Sequence, residues 1–95
     1  MHTLRKLEYE WDSEKAKVNA RKHGVSFADA ALALGDDFAL TRHDPDSNGE
    51  VRHVSIGMDP MFRILVTVFT FRGDKVRIIS ARKATATERR PYRQR

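Results

Sequence analysis

Leu7, Tyr9 and Trp11 alternate with Glu8, Glu10 and Asp12, the period of a half-buried strand. From Asp12 onward the spacing turns helical. Asp12 or Ser13 is available as N-cap, Glu14 falls in the first turn, Arg21 and Lys22 in the last, and Gly24 lies past the end. That arrangement predicts a helix over 13–23. Ser26 caps a second helix in which Phe27, Ala30, Ala31 and Leu34 recur at i, i+3, i+4 and i+7 before Gly35. One apolar stripe of this kind packs on a flat apolar surface.

The flat surface follows in the sequence. Phe38 to His43 reads as a strand, 44–49 as a loop rich in Pro, Asn and Gly, and Val51 to Ile56 as another alternating strand, with Pro60 in the next turn. Residues 63–71 are rich in β-branched and aromatic side chains, and Gly73-Asp74 fits a two-residue type II′ turn into a strand over 75–83. Uninterrupted pairing from that turn places Phe69 opposite Ile78 and Phe71 opposite Val76, on the side that receives the helices. Val66, Val68, Ile79 and Ala81 then share the other side, fringed by Arg72, Thr70 and Arg77 at one end and Lys83 at the other, with Arg82 leaving from the apolar face that receives the helices. Thr85 begins T-x-x-E with Glu88, a capping box for a short basic C-terminal helix that Pro91 is expected to shorten. The fold class is α+β: two N-terminal helices packed on one face of an antiparallel β-sheet, with a short C-terminal helix.

Composition narrows the setting. Ninety-five residues read as one domain over 1–95, long enough for a single core. The chain has no cysteine, hence no disulfide framework or thiolate metal site. No apolar run approaches the ~20 residues that span a bilayer, and the N-terminal residues lack the apolar stretch of a signal peptide. A cytoplasmic protein with no membrane partner is expected. Charge is distributed unevenly: residues 1–71 hold nine Lys/Arg against eleven Asp/Glu, and residues 72–95 hold nine against two. A basic final quarter points to a polyanionic partner, nucleic acid or an acidic protein.

Several chemistries can be weighed against this pattern. The Gly24 turn between two helices has helix-turn-helix spacing, but the second helix offers one Asp and no Lys, Arg, Asn or Gln, and that charge argues against its reading a DNA groove. His43 and His53 lack a third ligand at metal spacing, and Asp44 and Asp46 lack the later glutamate of a calcium loop. There is no phosphate-cradling glycine loop and no nucleophile elbow. His23, beside Lys22, can serve either as a helix C-terminal cation or as a general base. What remains is a set of cations on strands, Arg52, Arg63, Arg77, Arg82 and Lys83. Guanidinium forks match phosphate oxygens and stabilise charge on a phosphorane.

Residues 9–30, "YEWDSEKAKVNARKHGVSFADA", and 77–92, "RIISARKATATERRPY", resemble the BrnT family of bacterial type II toxins over about residues 8–92 of the sequence. The resemblance implies a RelE-like ribonuclease fold and translation arrest by RNA cleavage. It also implies neutralisation by a cognate BrnA-like antitoxin that binds the operon DNA, so that DNA is met only indirectly; a dimeric toxin-antitoxin assembly is compatible with it. The expected activity is that of a metal-independent endoribonuclease with no cofactor. His23, Arg52, Arg82 and Lys83 are the candidate catalytic residues, with the base left between His23 and Lys83. Lys22, Arg63, Arg77, Arg89 and Arg90 are the candidate RNA-binding residues. The residues leave open a second reading, a non-catalytic RNA-binding or antitoxin-docking module.

Overall fold

In the computed structural model, which describes residues 7–46 and 49–94, local signals set the helices. Asp12 accepts the Lys15 amide at 2.9 Å, and Gly24, at φ 69°, returns its N–H to the Ala20 carbonyl. Helix α1 therefore runs Ser13–His23, closed by a left-handed residue that only glycine adopts without strain. Ser26 accepts the Asp29 amide at 3.0 Å and opens α2, Phe27–Leu34. Both helices span the residues expected.

Five strands follow the alternation: β1 (Glu8–Glu10), β2 (Leu40–His43), β3 (His53–Met58), β4 (Ile64–Arg72) and β5 (Lys75–Lys83), with α3 at Ala86–Arg93. Their order in one sheet is β1-β5-β4-β3-β2. Four strands are antiparallel as expected, while β1 joins the edge parallel to β5. Across that pair Glu8 meets Lys75 and Glu10 meets Arg77, and the Glu10–Arg77 ion pair at 2.7 Å fixes the register. Of the loop expected over 44–49, Ser47 and Asn48 lie outside the described residues.

The β4-β5 hairpin turns at Gly73, where φ is 64°, as a type II′ turn requires at its first central residue. Pairing runs from the turn to Phe69 opposite Ile78 as expected, and then slips by one: Val68 faces Ser80, Thr67 faces Ala81 and Val66 faces Arg82. This is a bulge. It turns Ala81 to the helix side, not to the side of Val66 and Val68, and leaves Ile79 as the extra residue. The helix side is a core of Val25, Phe27, Ala30, Ala33, Leu65, Ile78 and Ala81. There α2 lies so close to β3 that a Cβ on Gly57 would stand 2.6 Å from the Ala33 carbonyl oxygen. On the other side Val54, Ile64, Val66 and Ala84 pack with Tyr92 of α3. Pro91 does not shorten that helix. It sits within α3, which continues to Arg93, and Tyr92 is anchored by a hydrogen bond from its hydroxyl to the Asp36 carboxylate.

One buried amide joins the helices to the slipped strand. Asn19 donates from Nδ2 to the Ala81 carbonyl at 2.8 Å and accepts the Ala81 N–H on Oδ1 at 3.2 Å. Its carboxamide thus completes β5 as a neighbouring strand would, beyond the point where β1 ends. The same Nδ2 reaches the Val25 carbonyl at 3.2 Å, in the turn between the helices. Asn19→Ala leaves these buried backbone groups without partners, each worth about 1–3 kcal/mol when unsatisfied. We expect a loss of about 2–4 kcal/mol in chemical denaturation, and slow-exchanging amides at 79–82 should lose protection. A change below ~0.5 kcal/mol, the range of an ordinary surface substitution, would show that the amide is dispensable.

Candidate functional site

The face away from α1 and α2 is built in rows by the sheet register. Arg42, Val54, Val68 and Ser80 stand side by side across β2, β3, β4 and β5, and Leu40, Ile56, Val66 and Arg82 form the next row. A third row holds Thr70, Arg77 and Glu10. Arg52, one residue before β3 and alternating with His53, extends this row on the β3 side. The Thr70 hydroxyl donates to the Val51 carbonyl at 2.6 Å and holds that approach. Helix α3 covers one end of the face through Tyr92, which packs in a cluster with Ile64, Val66, Val54 and Ala84. What stays open is the half-buried pair Val68 and Ser80 beside the buried Val54, with Arg42, Arg52, Arg77 and Arg82 around it, roughly 14 Å across at ordinary strand spacing.

The four cations are not equivalent. Arg77 is taken by Glu10 at 2.7 Å. Arg82 forms a two-pronged pair with Glu88, Nη1 to Oε1 at 2.7 Å and Nη2 to Oε2 at 2.8 Å. Glu88 also accepts the Thr85 amide at 2.9 Å while Thr85 Oγ1 accepts the Glu88 amide, so one carboxylate closes the capping box and holds the strand exit. The Arg82 hydrogen bonds bring the Glu88 carboxyl down to about 2, and the same bonds raise Arg82 above its usual value. Arg52, by contrast, has a buried Nε with no hydrogen-bond partner, and Arg42 makes only a long contact to the His43 carbonyl at 3.4 Å. Neither has a carboxylate partner among the described residues. Of the four, these two guanidinium groups are the ones no carboxylate claims, Arg42 exposed and Arg52 half-buried.

The remaining expected site residues lie elsewhere. His23 and Lys22 line a groove of about 390 Å³ with Val18, Asn19, Ile79 and Ser80, between α1 and the β5 edge. That groove does not include Arg52, Arg82 or Lys83. Lys83 and Arg89 meet at the end of the sheet, in a cleft that also holds Phe62 and Arg93. Arg90 is exposed on α3. Arg63 is turned inward: Nε and Nη2 hold Asp59 at 2.8 and 2.7 Å, Nη2 also holds Asp29 at 3.0 Å, and Nη1 reaches the Gly24 carbonyl at 3.1 Å. Burial pushes the Asp59 carboxyl up, but the Arg63 hydrogen bonds outweigh it and keep Asp59 below the usual range. Arg42 was not singled out by the sequence, although its alternation with Thr41 and His43 carries the signal. His43 and His53 stand 5.0 Å apart on the helix side, where His53 stacks on Phe69. No three His, Asp or Glu side chains converge on a metal-sized site among the described residues.

A family described as the ribonuclease toxin, BrnT, of type II toxin-antitoxin systems matches residues 11–88. Among solved structures, the chain is similar to the 1.1 Å crystal structure of the Brucella abortus ribonuclease toxin, BrnT. That likeness has a TM-score of 0.63 and 26% identity, and it covers 84% of this chain and 99% of that one. No curated protein matches. No described helix is long and apolar enough to cross a membrane.

The Arg82–Glu88 pair has a pH signature. The folded carboxyl titrates near 2, below its ordinary 4.5, so its stabilisation is complete above about pH 4.5 and is lost as pH falls toward 2. The two side chains are 41% and 31% exposed, and solvent screening leaves a contribution on the order of 1 kcal/mol. Glu88→Gln should therefore cost about that much near neutral pH and progressively less as pH falls through 2, with Asp59 titrating alike in both proteins. Parallel acid-unfolding curves from pH 6 to 2 would contradict the pair's role.

Proposed function

The chain belongs to the BrnT family of ribonuclease toxins of type II toxin-antitoxin systems, whose partner is an antitoxin, and within that family we propose that it cleaves RNA without a metal ion on the arginine-ringed sheet face. The observation that carries this reading is the Arg52 guanidinium, which has no carboxylate partner among the described residues and whose buried Nε has no hydrogen-bond partner, on the face that holds Val68 and Ser80. A cation held at the start of a rigid strand without a counter-ion is preorganised for an anion. In RNA cleavage of this kind the ribose 2′-oxygen bonds to the adjacent phosphorus and the bond to the 5′-oxygen breaks. One proton leaves the 2′-hydroxyl and one is gained by the 5′-oxygen, while negative charge grows on the non-bridging phosphate oxygens. Arg52, with Arg42 beside it, supplies positive charge at that point, the largest single term in most such reactions.

Arg82 and Arg77 contribute differently. Each is already hydrogen-bonded to a carboxylate, so they hold the rim of the face and add attraction at longer range. Lys22 and His23 flank the β5 edge and Arg90 lies on the exposed side of α3, positions suited to RNA beyond the scissile phosphate. Arg63 is left out of the RNA contacts because its guanidinium is filled by Asp59, Asp29 and the Gly24 carbonyl. Fixed guanidinium charge at the phosphate is what supports a reading without a metal ion. A BrnA-like antitoxin with acidic and apolar side chains suits the same face and would block RNA from it. DNA contact is then made through the antitoxin, because α2 carries no cation. Acting on RNA, it would work in the cytoplasm.

Purified protein should cut RNA in the presence of EDTA, and Arg52→Ala should lower kcat by about 10²-fold, the usual loss when one preorganised donor is removed from a developing oxyanion. Cleavage by primer extension and unfolding by circular dichroism should be followed on the same preparations. Activity abolished by EDTA and restored by one divalent cation would contradict the metal-independent mechanism. Wild-type kcat in Arg52→Ala would remove this face from the chemistry.

A further inference from the structure

Between β3 and β4 the chain reverses through Asp59–Arg63. The Asp59 side chain is fully buried and takes the amides of Met61 and Arg63 at 3.0 and 2.9 Å, while the Phe62 amide goes to the Asp59 carbonyl at 3.0 Å. With Arg63 locked to the same carboxylate, the turn leaves Phe62 at φ 63°, a left-handed conformation taken by no other non-glycine residue among those described. Phe62 is 82% exposed. Backbone strain and an exposed aromatic ring are both unfavourable, and a glycine would remove both. A residue kept at such a cost by a rigid surround is a candidate for binding.

The chemistry of the neighbours indicates what it binds. Phe62 forms one wall of a cleft of about 250 Å³, whose other sides are Arg63, Ile64, Lys83, Ala84, Arg89 and Arg93. Arg89 donates from Nη1 to the Ala84 carbonyl at 2.9 Å, which fixes its stem. Lys83 and Arg93 have no carboxylate partner among the described residues. On its other flank the ring borders an apolar groove with Leu32, Phe38 and Met58, where a protein side chain would be the competing occupant. The cations all stand on the first side. An aromatic plane beside unpaired cations is the arrangement that holds single-stranded nucleic acid, the base stacking on the ring and the backbone lying along the charge.

Resting on the ribonuclease reading above, we infer that this cleft is a nucleotide subsite separate from the arginine-ringed face. In it Phe62 stacks on a nucleobase of the RNA, and Lys83 and Arg93 hold the adjoining phosphate. It explains the divergence of the two cations at the end of β5. Arg82 is taken by Glu88 and positions α3, whereas Lys83 is left to bind. A base held at the sheet end anchors a strand whose scissile phosphate lies at Arg52.

The test is titration of a 2′-O-methyl oligoribonucleotide carrying 2-aminopurine, which binds without being cut, followed by fluorescence. Wild type should quench the 2-aminopurine. Phe62→Ala and Phe62→Gly should bind about tenfold more weakly, in the range expected for one lost stacking contact, without quenching, and Phe62→Trp should restore both. On cleavable RNA, Phe62→Ala should raise KM with kcat retained, whereas Arg52→Ala lowers kcat. Phe62→Gly relieves the left-handed strain, so its Tm should equal or exceed that of wild type, which separates a lost contact from a damaged fold. If wild type binds and cuts RNA while Phe62→Ala and Phe62→Gly bind with wild-type affinity and quenching, the subsite is overturned and the ribonuclease reading stands. Weakened antitoxin binding in these variants with unchanged oligonucleotide binding would assign Phe62 to the protein partner and also overturn it. If wild type neither binds nor cuts RNA, both readings fall.

Discussion

The Asn19 carboxamide is the constraint on which the functional surface depends. A three-residue β1 leaves the outer edge of the second half of β5 without a neighbour strand, and a bare sheet edge is both unstable and open to unwanted pairing. Asn19 supplies one donor and one acceptor to Ala81 in place of that strand. Its position on α1 also sets where β5 must stand relative to the helices. The bulge after Ile78 is the consequence: one extra residue brings Ala81 to the helix side and turns Arg82 to the opposite face, next to Val66. Without the slip, Arg82 would point toward α1 and α2 and could not reach Glu88.

Arg82 then links the sheet to α3. Its pair with Glu88, the capping box at Thr85 and the Tyr92–Asp36 hydrogen bond seat α3 over one end of the arginine-bearing face. This has two effects on charge. It neutralises one of the four guanidinium groups around Val54 and Val68, and it carries Arg89 and Arg93 to the end of the sheet beside Lys83. The basic final quarter of the chain is thereby divided between two surfaces. One is flat, with cations on strands; the other is a small cleft with an aromatic wall. Neither resembles a DNA-reading helix, in keeping with membership of a ribonuclease toxin family.

Features encoded by neighbouring residues were legible in the sequence. Asp12, Gly24 and Ser26 act within one helical turn, and both N-terminal helices have the ends they predict. Gly73 set the hairpin, and the Thr85–Glu88 spacing set the start of α3. The placement of Val66 and Val68 away from the helices also followed from alternation. What was hidden depends on partners far apart in the chain. The bulge requires Asn19 to meet Ala81, and the parallel edge requires Glu10 to meet Arg77. Arg63 reads as one more strand cation until Asp29 and Asp59 converge on it. Of the expected site residues, Arg52, Arg77 and Arg82 share one face, whereas His23 and Lys83 fall on two others. No periodicity could separate them, because the division is made by the sheet end and by the groove along β5.

The central claim is that RNA is held across the face bounded by Arg42, Arg52, Arg77 and Arg82. Amide chemical-shift mapping with a 2′-deoxy analogue of the scissile dinucleotide, at low salt, tests it most directly. The largest changes should fall at Arg52, Val54, Val68 and Ser80, with the side-chain Nε–H of Arg52 shifted as it gains a partner. Changes confined to Lys22, His23 and Ile79, with Arg52 unmoved, would contradict the claim and transfer the site to the groove beside α1.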